Sequence, residues 1–123
     1  MKFFVSGKLG LEESAREAMN ALRNAGHQIT FDWTSIGHLR PYDENILACR
    51  EAAVRECNGV KEANVLVIIA HNEGVGMYVE LGIAIAVGIP VRVVTSEESP
   101  SVFFHHPLVK KVNSIREVIA EFS

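Results

Sequence analysis

Asn64-Val65-Leu66-Val67-Ile68-Ile69-Ala70 is an aliphatic run with no polar residue inside it. A strand with one wet face alternates apolar and polar residues. An unbroken β-branched run instead reads as a strand covered on both faces, the habit of parallel sheets. Downstream, His71 to Gly76 is a Gly-containing turn, Met77 to Val87 an apolar helix closed by Gly88, and Pro90 to Thr95 a further strand. Upstream, Asp43 to Glu62 reads as a long helix whose apolar stripe is Ile46, Cys49, Ala53, Cys57 and Val60.

The flanks extend this alternation. Lys2 to Ser6 is a short buried strand stopped by Ser6-Gly7, and Gly7 to Gly10 is a loop. Leu11 to Asn24 is a helix with Glu12 and Glu13 in its first turn, where they suit the dipole, and with Ala15, Ala18, Met19 and Leu22 at helical spacing. Gly26 stops it, and His27 to Trp33 is a second strand in which Ile29 and Phe31 alternate with polar neighbours. Thr34 to Tyr42 and Ser96 to Pro107 are loops, and Leu108 to Val112 is a short edge strand. Ser114-Ile115-Arg116-Glu117 is a capping-box pattern opening a last helix to Phe122. The order β-α-β-α-β-α-β-(β)-α requires right-handed crossovers and a parallel sheet covered by helices on both faces. The expected fold is α/β: a three-layer, flavodoxin-like or Rossmann-like doubly wound parallel sheet of four to five strands, in a single domain spanning residues 1–123.

Composition narrows the function. The 123 residues carry 12 basic and 15 acidic side chains, a formal charge of −3. Duplex nucleic acid demands a concentrated basic face, so nucleic acid is not an expected partner. The apolar runs are too short or too broken to span a bilayer, and the N-terminal run is too short for a signal peptide, so a cytoplasmic protein without membrane contact is expected. Cys49 and Cys57 stand eight residues apart on one predicted helix. That is ~12 Å of rise, beyond the ~7 Å limit for a disulfide, so they read as reduced core thiols. No His or Cys stands at ligand spacing from them, and adjacent His105 and His106 rarely share one ion, so neither metal nor cofactor is expected.

In open parallel sheets, ligands bind outside the carboxyl ends of the strands. This selects Ser6, Gly7 and Lys8 after the first strand and Asp32 and Trp33 after the second. After the third it selects Asn72, Gly74 and Gly76. Lys8 suits a phosphate, Trp33 offers a face for a base to stack on, and Asp32 suits a sugar hydroxyl or caps its own turn. The paired glycines let backbone N–H groups approach an anion. Glu80 is the only charged residue between Gly74 and Pro90 and lies in an apolar helix. A carboxylate there either serves chemistry beside the ligand crevice, with its pKa raised by burial, or pairs with a basic side chain. The first loop lacks the Gly-Lys-Ser/Thr ending of a P-loop, which argues against a nucleoside triphosphatase.

Asn64 to Ala70, followed by Gly74-Val75-Gly76-Met77-Tyr78-Val79-Glu80-Leu81-Gly82 and then Gly88-Ile89-Pro90-Val91, resembles the nucleoside 2-deoxyribosyltransferase family and its relatives, the 2′-deoxynucleoside 5′-monophosphate N-hydrolases. The resemblance covers most of residues 2–95 and is most specific from Gly74 to Val91. It implies that Glu80, in Glu-Leu-Gly, is the nucleophile that attacks the anomeric carbon of a nucleoside or nucleotide, as the carboxylate of a retaining glycosidase does. It implies a sugar-binding role for Glu56, eight residues before Asn64, and assembly as a homodimer or larger homo-oligomer. The chain departs from the family pattern in carrying Asn64 where an aspartate is usual. It also carries Gly74 where the transferases have an aspartate and the monophosphate hydrolases a serine. Those departures keep a second reading open, a nucleotide-binding or regulatory protein without chemistry. A third, an NAD-cleaving domain of the Toll/interleukin-receptor type, fits the Glu-Leu-Gly context and the short chain poorly.

Overall fold

A computed structural model describes residues 1–8, 10–69 and 74–123. His71, Asn72 and Glu73 of the third-strand loop lie outside the described residues. The elements are β1 (Lys2–Ser6), α1 (Glu12–Asn24), β2 (Gln28–Ile29), α2 (Ile46–Glu62), β3 (Val65–Ile69), α3 (Gly76–Val87), β4 (Val91–Val94), β5 (Val109–Val112) and α4 (Ile115–Glu121). The five strands form one all-parallel sheet in the order β2-β1-β3-β4-β5. Packing α1 against α4 and α2 against α3 covers the two faces and makes the three layers.

The apolar run that set the fold behaves as its composition demands. Val65, Leu66, Val67 and Ile68 are fully buried, as are Phe3, Phe4 and Val5 of the neighbouring strand. Ser6 stands in register with Ile68, so β1 and β3 end side by side. The chain crosses from one half of the sheet to the other between these two strands, which is where a doubly wound fold opens its ligand crevice. At the end of α3, Gly88 turns into the left-handed region at φ +82° and donates to the Ala84 carbonyl, 2.9 Å away. At the far edge, Arg92 of β4 holds Glu121 of α4 through Nε and Nη2 at 2.8 and 2.6 Å, with its guanidinium over the Phe122 ring.

Three local expectations need correction. The second strand is two residues long instead of seven. After Thr30, whose N–H reaches the Phe3 carbonyl at 3.0 Å, the Asp32 carboxylate accepts from Thr34 N–H at 2.9 Å and turns the chain into a 3₁₀ turn, Trp33–Ser35. The long helix begins at Ile46, after a separate 3₁₀ turn at Tyr42–Glu44, and of its expected stripe only Val60 is buried. Ile46 and Ala53 are exposed, and Cys49 and Cys57 are half-buried free thiols. The inner face is Ala52, Gly59 and Val60, with Glu56 half-buried among them. The helix lies so close to the sheet that small residues, not large ones, meet Phe4. The capping box does not form: the Ser114 side chain makes no cap bond, and Glu117 Oε2 accepts from the N–H of Asn113, one residue before the N-cap, at 2.6 Å.

Candidate active site

The buried stripe of α3 is Met77, Glu80, Leu81 and Ala84, at helical spacing i, i+3, i+4 and i+7. Glu80 therefore occupies a position that the pattern reserves for an apolar residue, one turn into the helix and facing the ends of β1 and β3. It is 7% exposed. The Ser6 hydroxyl donates to its Oε1 at 2.7 Å, and among the described residues Oε2 has no hydrogen-bond partner. Burial pushes the Glu80 carboxyl up to about 8, the Ser6 hydrogen bond opposes this, and the like charge of Glu56 adds to it.

Glu80 stands in a cleft of about 220 Å³. Gly7, Lys8 and Trp33 line it from the β1 and β2 ends, Gly74 and Gly76 from the start of α3, and Glu56 from α2. The fold thus gathers every described candidate except Asp32 at one place, with Ser6 present through Glu80. Burial also raises the Glu56 carboxyl. Trp33 lines the cleft but is itself 7% exposed, and its Nε1–H donates to the Val5 carbonyl at 2.7 Å. Its ring is thereby fixed as part of the wall.

Asp32 lies apart. Its carboxylate accepts from both the N–H and the hydroxyl of Thr34 and stands 3.6 Å from Arg23. It borders a separate, shallower depression of about 440 Å³ with Phe31, Glu51 and Arg55. In this arrangement it caps its own turn. Asn72 lies outside the described residues. Asn64, where the family has an aspartate, lies at the other end of β3 from the cleft, and its Oδ1 accepts from the Lys2 N–H at 2.8 Å. An amide oxygen fills that place as well as a carboxylate does, so this departure leaves the cleft untouched.

Sequence reasoning missed the loop that closes the cleft. Ile36, Gly37, Leu39, Arg40 and Tyr42 all line it. Arg40 Nε–H donates to the Tyr42 hydroxyl at 3.0 Å, and its guanidinium lies 5.5 Å from the centre of that ring. The available signal was the length of the segment after the second strand. Because β2 ends so early, everything from Thr30 to Asn45 is loop or 3₁₀ turn at the carboxyl end of the sheet. Among the described residues, no group of three or more His, Cys, Asp or Glu side chains could hold a metal ion.

A parallel sheet of order 2-1-3-4-5, with a buried carboxylate and a cleft at the switch between β1 and β3, defines a three-layer α/β protein of flavodoxin-like fold. Two solved structures share this fold. The CMP N-glycosidase BcmB of Clostridium botulinum matches with a TM-score of 0.62 at 14% identity, over 99% of this chain and 98% of that one. The 2-deoxyribosyltransferase of Bacillus psychrosaccharolyticus matches with a TM-score of 0.64 at 17% identity, over 97% of this chain and 90% of that one. The likeness of fold agrees with the resemblance read from Gly74 to Val91. No family model matches the chain, and no curated protein sequence matches it. Among the described residues no helix is long and apolar enough to cross a membrane.

Proposed function

We propose that this protein cleaves or transfers at the N-glycosidic bond of a nucleoside or nucleotide, with Glu80 as the nucleophile. The observation that carries the proposal is the Glu80 carboxyl itself, buried at the floor of the cleft with one oxygen bonded to Ser6 and the other without a partner among the described residues. A Glu80 oxygen bonds to the anomeric carbon as the carbon–nitrogen bond breaks, and the electron pair leaves with the base. The glycosyl ester is then opened by water or by a second base. Glu56 is suited to hold sugar hydroxyls, Trp33 to bound the ring of the ligand, and Lys8 to meet a phosphate. The two solved enzymes of this fold act, by their names, on CMP and on 2-deoxyribosyl groups, which supports a nucleoside or nucleotide as substrate.

The test is chromatographic. Purified protein is incubated with single nucleosides and nucleoside monophosphates, with and without a second free base, beside Glu80→Gln. Released or exchanged base, lost at least a thousandfold in the variant, is the expected result. Turnover that survives Glu80→Gln would remove Glu80 from the mechanism. Because attack needs the ionised carboxylate, kcat/KM rises with pH up to about 8, the pKa of Glu80.

One observation favours a second reading, a binding protein without chemistry. A carboxyl of pKa about 8 is mostly protonated at neutral pH and can donate a hydrogen bond to a ligand. A ligand-dependent rise in Tm with no product would select it. The proposal includes a single domain over residues 1–123, a cytoplasmic setting, in keeping with the free thiols Cys49 and Cys57, and a homodimer or larger homo-oligomer.

A further inference from the structure

The two oxygens of the Glu80 carboxyl have different surroundings. Oε1 accepts from the Ser6 hydroxyl at 2.7 Å, whereas Oε2, equally buried, has no partner among the described residues. Ser6 is fully buried, and its backbone is held in the ladder opposite Ile68. The hydroxyl is thus presented from a strand, the most rigid part of the fold, to a carboxyl on a helix 74 residues later. A hydroxyl donates more strongly to an ionised carboxylate than to a neutral acid, so such a bond both orients the group and favours its charged form.

We propose that Ser6 is a positioning residue: its hydroxyl fixes Glu80 through Oε1 and leaves Oε2 as the oxygen that meets the ligand. This rests on the reading of Glu80 given above, and it moves Ser6 from the ligand-contacting set to the group behind it. Among the described residues, the charged and titratable groups that line the cleft with Glu80 are Glu56 from α2, Lys8 from the loop after β1, and Arg40 and Tyr42 from the loop before α2. Glu56 disfavours the ionised form by its like charge, while the Ser6 bond opposes burial and favours it.

The experiment follows the Glu80 carboxyl carbon by NMR in protein labelled with ¹³C-glutamate, its signal assigned by loss in Glu80→Gln. Removing a charge-assisted bond in Ser6→Ala should raise the titration midpoint by about one pH unit, a roughly tenfold drop in the ionised fraction at neutral pH. Ser6→Cys, a weak donor of similar size, should raise it comparably and serves if the alanine variant does not fold. Ser6→Thr, which keeps the hydroxyl, should restore it. The rising limb of kcat/KM against pH should move with the midpoint in each variant. A midpoint unmoved in Ser6→Ala or Ser6→Cys would overturn the proposal, as would a rate profile that ignores a moved midpoint. Turnover retained in Glu80→Gln would instead overturn the proposed function. The carboxyl titration would still decide whether Ser6 governs Glu80.

Discussion

Burial raises the Glu80 carboxyl from an ordinary value of 4.5 to about 8, so between these pH values the folded protein holds a proton that the unfolded chain has released. Binding more protons in the folded state means that stability falls as pH rises through that window. Below pH 4.5 both states are protonated and the group costs nothing; above pH 8 the full penalty applies, on the order of 5 kcal/mol by linkage. Glu80→Gln keeps an acceptor for Ser6 and removes the charge. In urea unfolding, its stability relative to the natural protein should increase steadily from pH 5 to pH 8. A difference independent of pH would show that the carboxyl is not desolvated as its burial implies. The same residue thus ties a stability cost to the chemical role proposed for it, as is usual where a buried acid serves a site.

The element that sets the cleft's geometry is α2, and Gly59 decides how close it lies. A Cβ there would stand 2.9 and 3.0 Å from the Phe4 ring and 3.1 Å from Phe31 Cβ. Alanine in place of glycine normally favours a helix by ~1 kcal/mol, but overpacking a fitted core costs roughly 1–3 kcal/mol. Phe4 is fully buried in the sheet and has no room to yield. Gly59→Ala is therefore expected to destabilise by about 1 kcal/mol, against the helix preference, read as a lower urea midpoint with an unchanged m-value. Because Glu56 sits one turn earlier on the same helix, the variant should also weaken ligand binding. A stabilised Gly59→Ala would mean that α2 lifts from the sheet without strain.

Across the whole molecule, α2 and α3 pack side by side on one face of the sheet and both leave aliphatic side chains exposed. Leu47 and Val54 of α2 are 78% and 59% exposed, and Val79 of α3 is 59% exposed. Of the adjacent pair Phe103 and Phe104, the first is exposed and the second buried beside Tyr78. Aliphatic groups gathered on one layer are the kind of surface that a second copy covers. The proposed homodimer or larger homo-oligomer predicts at least twice the monomer mass by light scattering. Val79→Arg should shift the protein to the monomer with an unchanged far-ultraviolet circular dichroism spectrum. A natural protein that runs as a monomer at micromolar concentration would refute the assembly.

The architecture was legible because its signals are local. The β-branched run at Val65–Ile69, the helical spacing of Ala15, Ala18, Met19 and Leu22, and the stops at Gly26 and Gly88 each act within a few residues, and alternation of strand and helix then leaves few topologies. Glu80 was legible for a related reason, since a lone charge in an apolar helix is conspicuous in one dimension. The sequence by itself determined the parallel sheet, the end of it that carries the cleft, and the carboxylate to suspect. Only the tertiary structure decided the rest, because it depends on distance between segments far apart in the chain. Folding joined Ser6 to Glu80, turned Glu56 and Gly59 inward in place of larger apolar residues, drew Trp33 into the wall, and set Asp32 apart. It also laid Arg40 and Tyr42 across the cleft, since a strand that stops after two residues leaves a long loop free to cover the site.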